Sequence, residues 1–205
     1  ATHKVIERDV LVPTPDGKAD CYFVAPAKGK HAAVIVWTDV YGLRPAFRQM
    51  GKRLAEAGFA VLVMNPFYRS AKAPIIAPND PRNEETRKVI APMRALLTPD
   101  AITRDAKAFV AFLDAQKSVS KKRKIGTIGY CMGGPLVIRT AAAVPERIAA
   151  VGSFHGGGLV TTQPDSPHLL IPQTKAGFLI AIADNDDKQA PEDKAKLRAA
   201  FDAAN

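Results

Sequence analysis

Residues 124–143 read Lys124-Ile125-Gly126-Thr127-Ile128-Gly129-Tyr130-Cys131-Met132-Gly133-Gly134-Pro135-Leu136-Val137-Ile138-Arg139-Thr140-Ala141-Ala142-Ala143. An apolar strand runs into a glycine-rich turn, and the turn opens a helix. Strand, small-x-nucleophile-x-small and helix is the layout of a nucleophile elbow, with cysteine in the place usually held by serine. Side chains at Gly129 or Gly133 would collide with the neighbouring strand or helix, and the turn itself is strained. The helix N-terminus beneath Cys131 favours negative charge, whether on a thiolate or on an oxyanion. The plainer alternative is a small core cysteine at a strand end.

Outward from this stretch, apolar runs alternate with helical patterns. Val5 to Val12 and Cys21 to Val24 predict two antiparallel strands joined through Pro13-Thr14-Pro15-Asp16-Gly17. Ala32 to Trp37 and Ala60 to Met64 are continuous apolar runs, as expected of strands buried on both faces. Between them a helix is expected from about Ala46 to Ala57, closed by Gly58. Asn65 to Asn83 is proline-rich and aperiodic, a long loop at the active end. Two helices follow, Asn83 to Leu97, kinked or divided at Pro92, and Thr98 to about Gln116. Ile148 to Phe154 and Gly177 to Ala183 are further strands, and Pro191 to Ala204 a closing helix. The alternation predicts an α/β chain with a mostly parallel central sheet and helices on both faces, forming one domain over residues 1–205.

Composition sets wide bounds. The chain of 205 residues is 47% apolar and 24% charged, ordinary for a globular protein, and has no apolar run long enough for a membrane span. Its two cysteines, Cys21 and Cys131, make no disulfide framework, and a cytoplasmic location is expected. The net charge of +9 raises nucleic-acid binding as a possibility. The densest basic cluster, Lys121-Lys122-Arg123-Lys124, precedes the elbow strand and so falls at the opposite end of the sheet from any catalytic face. No aromatic interleaving accompanies it, and neither a nucleic-acid nor a membrane partner is expected.

With these pieces placed, the chain resembles the dienelactone hydrolase family of α/β-hydrolases over nearly its whole length. The resemblance rests on the elbow, on Thr38-Asp39-Val40-Tyr41-Gly42-Leu43, on Asn65-Pro66-Phe67-Tyr68 and on Ala183-Asp184-Asn185-Asp186. It implies hydrolysis of a carboxylic ester or lactone through a Cys131 thioester, with no cofactor or metal. It implies backbone oxyanion donors at Met132 and Val40, and a triad acid at Asp186. Asn-Asp alignment favours Asp186; counting back from Pro191 favours Asp187, and Asp184 shares the turn. Asp39 stands where the family usually carries a glutamate that pairs with the resting thiol; it is one methylene shorter, and it either contacts the thiol or caps the turn through Tyr41-Gly42. Tyr41 is a candidate pocket wall. Arg69, Arg82 and Arg44 are candidates for holding a substrate anion.

A triad of this order needs a histidine after the acid. The four histidines are His3, His31, His155 and His168, all before Asp186. The expectation is therefore a chain incomplete at its C-terminus, lacking its last strand and helix, with apolar surface and a sheet edge laid bare. His155, between Phe154 and Gly156, is the internal candidate, as base or as pocket lining. A non-catalytic member of the fold, binding a small ligand or partner through the same pocket, is the alternative.

Overall fold

The computed structural model describes residues 2–204. Seven strands form one sheet in the order β1-β2-β4-β3-β5-β6-β7. They are β1 (Val5–Thr14), β2 (Gly17–Pro26), β3 (Ala33–Trp37), β4 (Ala60–Met64), β5 (Ile125–Tyr130), β6 (Ile148–Phe154) and β7 (Gly177–Ala181). The first two make an antiparallel hairpin that joins β4 antiparallel, and every pairing from β4 to β7 is parallel. This is the mostly parallel, helix-covered sheet expected of an α/β-hydrolase fold.

The six helices are α1 (Pro45–Glu56), α2 (Glu84–Ala95), α3 (Pro99–Asp114), α4 (Gly133–Ala143), α5 (Asp184–Gln189) and α6 (Asp193–Ala204). A 3-10 helix, Pro167–Gln173, lies between β6 and β7. Alternation along β3 divides the core. Ile35 and Trp37 join Phe109 and Leu113 of α3 and Val137 of α4 in one cluster. Val34 and Val36 join Phe47 and Ala55 of α1 in the other. All five β3 residues are therefore buried, which is why the strand reads as an unbroken apolar run.

Local chemistry accounts for three of the helix ends. Thr98 accepts a hydrogen bond from the Ala101 N–H, with Pro99 just inside α3, and Asn83 caps α2 through the Thr86 N–H. Gly58, at φ 108, turns the chain out of α1. Pro92 does not divide α2, which runs as one helix over Glu84–Ala95. The expected closing helix is α6, which begins at Asp193, and α5 is a short additional helix before it at Asp184–Gln189. Among the described residues no helix is long and apolar enough to cross a membrane. On the α1 side of β5–β7, Ile128, Phe154 and Leu179 line an open groove of about 650 Å³.

Candidate active site

The elbow sits between β5 and α4, where the chain must reverse within two residues. Cys131 has φ 53, one of only two non-glycine residues at positive φ among those described. Such a conformation costs of order 1–3 kcal/mol and persists only where the surroundings enforce it. Its N–H donates to the Phe154 carbonyl at 3.0 Å, and its carbonyl accepts from the Gly134 N–H at 2.9 Å. The glycines permit this closeness. A Cβ on Gly129 would lie 2.2 Å from the Gly133 oxygen, and one on Gly133 would lie 2.6 and 2.7 Å from the Trp37 and Thr38 oxygens. A Cβ on Gly134 would meet the Gly156 Cα at 2.5 Å. Cys131 is half-buried, whereas Cys21 is fully buried and burial pushes its thiol strongly up.

The same contacts bring the end of β3 against the elbow. Met132 packs with Phe67, Ile76 and Ile90, with Val40 and Tyr41 at the cluster's margin. The loop and α2 thus form a wall beside the elbow. Neither the Val40 N–H nor the Met132 N–H donates a hydrogen bond to another described backbone group. Two free amides beside a strained nucleophile-type turn can stabilise a developing oxyanion.

Asp39 caps its own turn, the second of the two roles expected of it. Its two oxygens take Nη1 and Nη2 of Arg44 at 2.6 and 2.8 Å, and Oδ1 also accepts from the Tyr41 N–H at 2.9 Å. The shorter side chain turns back on its own loop. Tyr41 lies beside two guanidinium groups, with Arg44 at 5.8 Å and Arg82 at 5.4 Å from its ring centre.

Arg69 is also committed elsewhere. It donates to Asp16 and to both oxygens of Asp105, a carboxylate buried to 1% exposure that also accepts from the Tyr68 hydroxyl at 2.6 Å. Arg104 joins through Asp16. The network ties the β1–β2 turn to the start of the loop and to α3, and both charge partners of Arg69 belong to this scaffold. Asp105 escaped sequence reasoning. Its signal was a carboxylate on the α3 face that carries Ile102 and Phe109, a position where charge must be paired.

The acidic turn after β7 separates the three aspartates. Asp184 pairs with Lys188 at the surface. Asp187 gives one oxygen to Lys194 at 2.8 Å, while its other oxygen is buried without a partner. Asp186 and Asp187 line a cavity of about 160 Å³ together with Gly156, Gly157 and Gly158. His155, just before these glycines, is exposed, has φ 41, and is fixed by its N–H to the Ala181 carbonyl at 2.8 Å. The other histidines lie apart from the elbow turn. His3 and His31 pack edge to face at 5.5 Å, and His168 Nδ1 hydrogen-bonds Ser166 at 2.6 Å.

Comparison with known proteins places this geometry. The model of the dienelactone hydrolase family matches residues 19–205. A carboxymethylenebutenolidase of Rhodococcus opacus is 28% identical over 122 residues, 60% of this chain and 43% of that protein. Another, from Pseudomonas putida, is 26% identical over 136 residues, 66% of this chain and 54% of that protein. The chain spans about half the length of these curated relatives. The dienelactone hydrolase structure from Anabaena variabilis superposes with a TM-score of 0.65 at 22% identity, covering 96% of this chain and 82% of that one. An acylaminoacyl peptidase from Pyrococcus horikoshii reaches 0.68 at 13% identity, covering all of this chain and 36% of that one, a likeness of fold alone.

Proposed function

The chain belongs to the dienelactone hydrolase family, and on that premise we propose that it hydrolyses a small carboxylic ester or lactone through a thioester on Cys131. The observation that supports this most is Cys131 at φ 53 on the strand-to-helix turn. Backbone hydrogen bonds to Phe154 and Gly134 hold that strain in place, and strain of this kind clusters at functional sites rather than at core cysteines.

The Cys131 thiolate adds to the carbonyl carbon, and the electron pair moves to the carbonyl oxygen, which the Met132 and Val40 N–H groups receive. Collapse re-forms the carbonyl and expels the alkoxide or enolate, leaving a thioester. Water then adds while a base takes its proton, and the thiolate departs. Asp186 is the acid assigned to orient that base, with Asp187 as its neighbour in the same cavity. In this reading Tyr41 would wall the pocket, and Arg82, whose guanidinium lies 5.4 Å from the Tyr41 ring centre, would be the cation for a substrate carboxylate.

Acylation and deacylation separate experimentally. Mixing the protein with p-nitrophenyl acetate should release a burst of p-nitrophenolate equal to the enzyme and add one acetyl group to the peptide containing Cys131. Cys131→Ala should show neither, with its melting temperature retained. Burst release that survives in Cys131→Ala sinks the proposal. His155→Gln decides whether His155 is the deacylating base: a general base is worth about 10²–10⁴-fold in turnover, whereas pocket lining costs under about tenfold.

A non-catalytic ligand-binding role draws on one observation, the commitment of Asp39 to Arg44 instead of to the thiol. It predicts no burst, together with slow alkylation of Cys131 by iodoacetamide at neutral pH.

A further inference from the structure

We infer that Arg44 is a positioning residue for the oxyanion site: its guanidinium fork sets the turn that presents the Val40 N–H. The inference rests on the acyl-transfer reading above. Residues 38–44 follow the end of β3 and carry Val40 between two anchored neighbours. On one side, the Asp39 carboxylate is held by both terminal nitrogens of Arg44 at 2.6 and 2.8 Å. On the other, the Tyr41 N–H donates to Asp39 Oδ1 at 2.9 Å, and the Gly42 carbonyl accepts from Arg44 Nη1 at 3.0 Å. The Gly42 N–H closes the turn onto the Asp39 carbonyl at 3.1 Å, and Thr38 Oγ1 donates to that same carbonyl at 3.0 Å. One guanidinium thus reaches the residues before and after Val40 and leaves the Val40 N–H free.

The fork is itself fixed. Arg44 stands in extended backbone just before the first residue of α1, and its guanidinium carbon lies 5.1 Å from the Phe47 ring centre and 5.8 Å from that of Tyr41. Its side chain is 14% exposed and that of Asp39 21%, so salt screens the pair little. Two parallel N–H···O bonds need a planar fork. Lysine keeps the charge and loses that geometry.

The consequence is a division of labour. Asp39 and Arg44 act on the carbonyl oxygen's receptor and not on the thiol. Acylation by an ester requires an oxyanion donor, whereas alkylation by iodoacetamide requires only the thiolate. The ratio of the two rates at Cys131 therefore reads the clamp separately from the nucleophile.

The test measures burst acylation by p-nitrophenyl acetate and alkylation by iodoacetamide across pH, for the wild type, Arg44→Lys, Arg44→Gln and Asp39→Asn. Removing an oxyanion donor outright costs about 10²–10³-fold, so displacing one should slow acylation about 10- to 10²-fold in Arg44→Lys and Arg44→Gln. Their alkylation pH profiles should stay within about twofold of the wild type, since the clamp does not touch the thiolate. Acylation by Arg44→Lys within about threefold of the wild type overturns the inference, because charge alone then suffices. So does a parallel fall in alkylation, and so does an Asp39→Asn variant whose alkylation profile moves along pH, which would return Asp39 to the thiol. If Arg44→Gln does not fold, Asp39→Asn breaks the same fork in a near-isosteric side chain and reads the same ratio. A wild type that alkylates readily but shows no burst refutes the acyl-transfer reading itself, and the inference falls with it. A burst in the wild type with an unchanged ratio in every variant refutes the inference alone.

Discussion

Placing a single methyl group at Gly129 puts the architecture of the elbow to a quantitative test. A Cβ there would lie 2.2 Å from the Gly133 oxygen, 2.5 Å from its carbonyl carbon and 2.9 Å from Val137 Cγ1. Side-chain rotation relieves only the last of these. The first two are backbone at the start of α4, so the opening of the helix must retreat by about 1 Å to restore an ordinary contact. Overpacking of this kind costs about 1–3 kcal/mol, and in a chain of this size each kcal/mol lowers the melting temperature by about 2–4 °C. A fall of about 2–12 °C is expected for Gly129→Ala. The same retreat carries the Met132 N–H away from the carbonyl oxygen, and a 1 Å misplacement costs on the order of 10²-fold in rate. Differential scanning fluorimetry and the p-nitrophenolate burst measure the two effects. Gly157→Ala is the matched control, since nothing lies within 4 Å of a Cβ at that glycine. It should change stability by under about 0.5 kcal/mol. A Gly129→Ala protein that melts with the wild type and acylates within about threefold of it would refute the steric account of the elbow.

Other perturbations test separate parts. Asp105→Asn removes the buried carboxylate from Arg69, which keeps only Asp16 as counter-charge, and should destabilise by about 1.5–3 kcal/mol in urea titration, the worth of hydrogen bonds to a charged group. Arg104 and Arg69 hold the Asp16 carboxyl below its ordinary value of 3.8. Because the lowered group binds fewer protons when folded, its contribution is full above that ordinary value and is lost as pH falls through the lowered one. Asp16→Asn should therefore flatten the acid limb of a stability-pH curve. In the native protein Ellman's reagent should titrate one thiol, Cys131, and a second only on unfolding, because Cys21 is 2% exposed and its thiol is pushed up by burial. Ile90→Ala, at the buried face of α2, should cost about 2–5 kcal/mol and slow acylation through loosened packing on Met132.

The sheet and the elbow are legible in the sequence because both impose simple patterns. The runs Ala33–Trp37 and Ala60–Met64 must be apolar throughout when helices cover both faces, and the glycines flanking Cys131 are demanded by backbone-to-backbone approach. What escapes is pairing between side chains. Arg69 and Asp105 stand 36 residues apart, and nothing local announces that a fold will bring them to 2.7 Å. Asp39 and Arg44 are only five residues apart, yet five is no helical or strand period, and the loop that joins them has no pattern to read. Likewise Asp184, Asp186 and Asp187 are nearly equivalent as letters; they part only when α5 coils and turns Asp184 toward Lys188.

The glycine contacts also bear on how such a protein can diverge. At Gly129, Gly133 and Gly134 the atoms that a new side chain would strike are mostly main chain, belonging to α4, to the end of β3 and to Gly156. A neighbouring residue cannot shrink to make room, because the obstacle has no side chain to exchange. These positions have no compensating partners and are closed to gradual drift. The wall formed by Phe67, Ile76, Ile90 and Met132 is the opposite case, since side-chain volumes there can be traded one against another. A lineage built on this scaffold would then vary through the loop and α2 while the turn bearing Cys131 stays fixed.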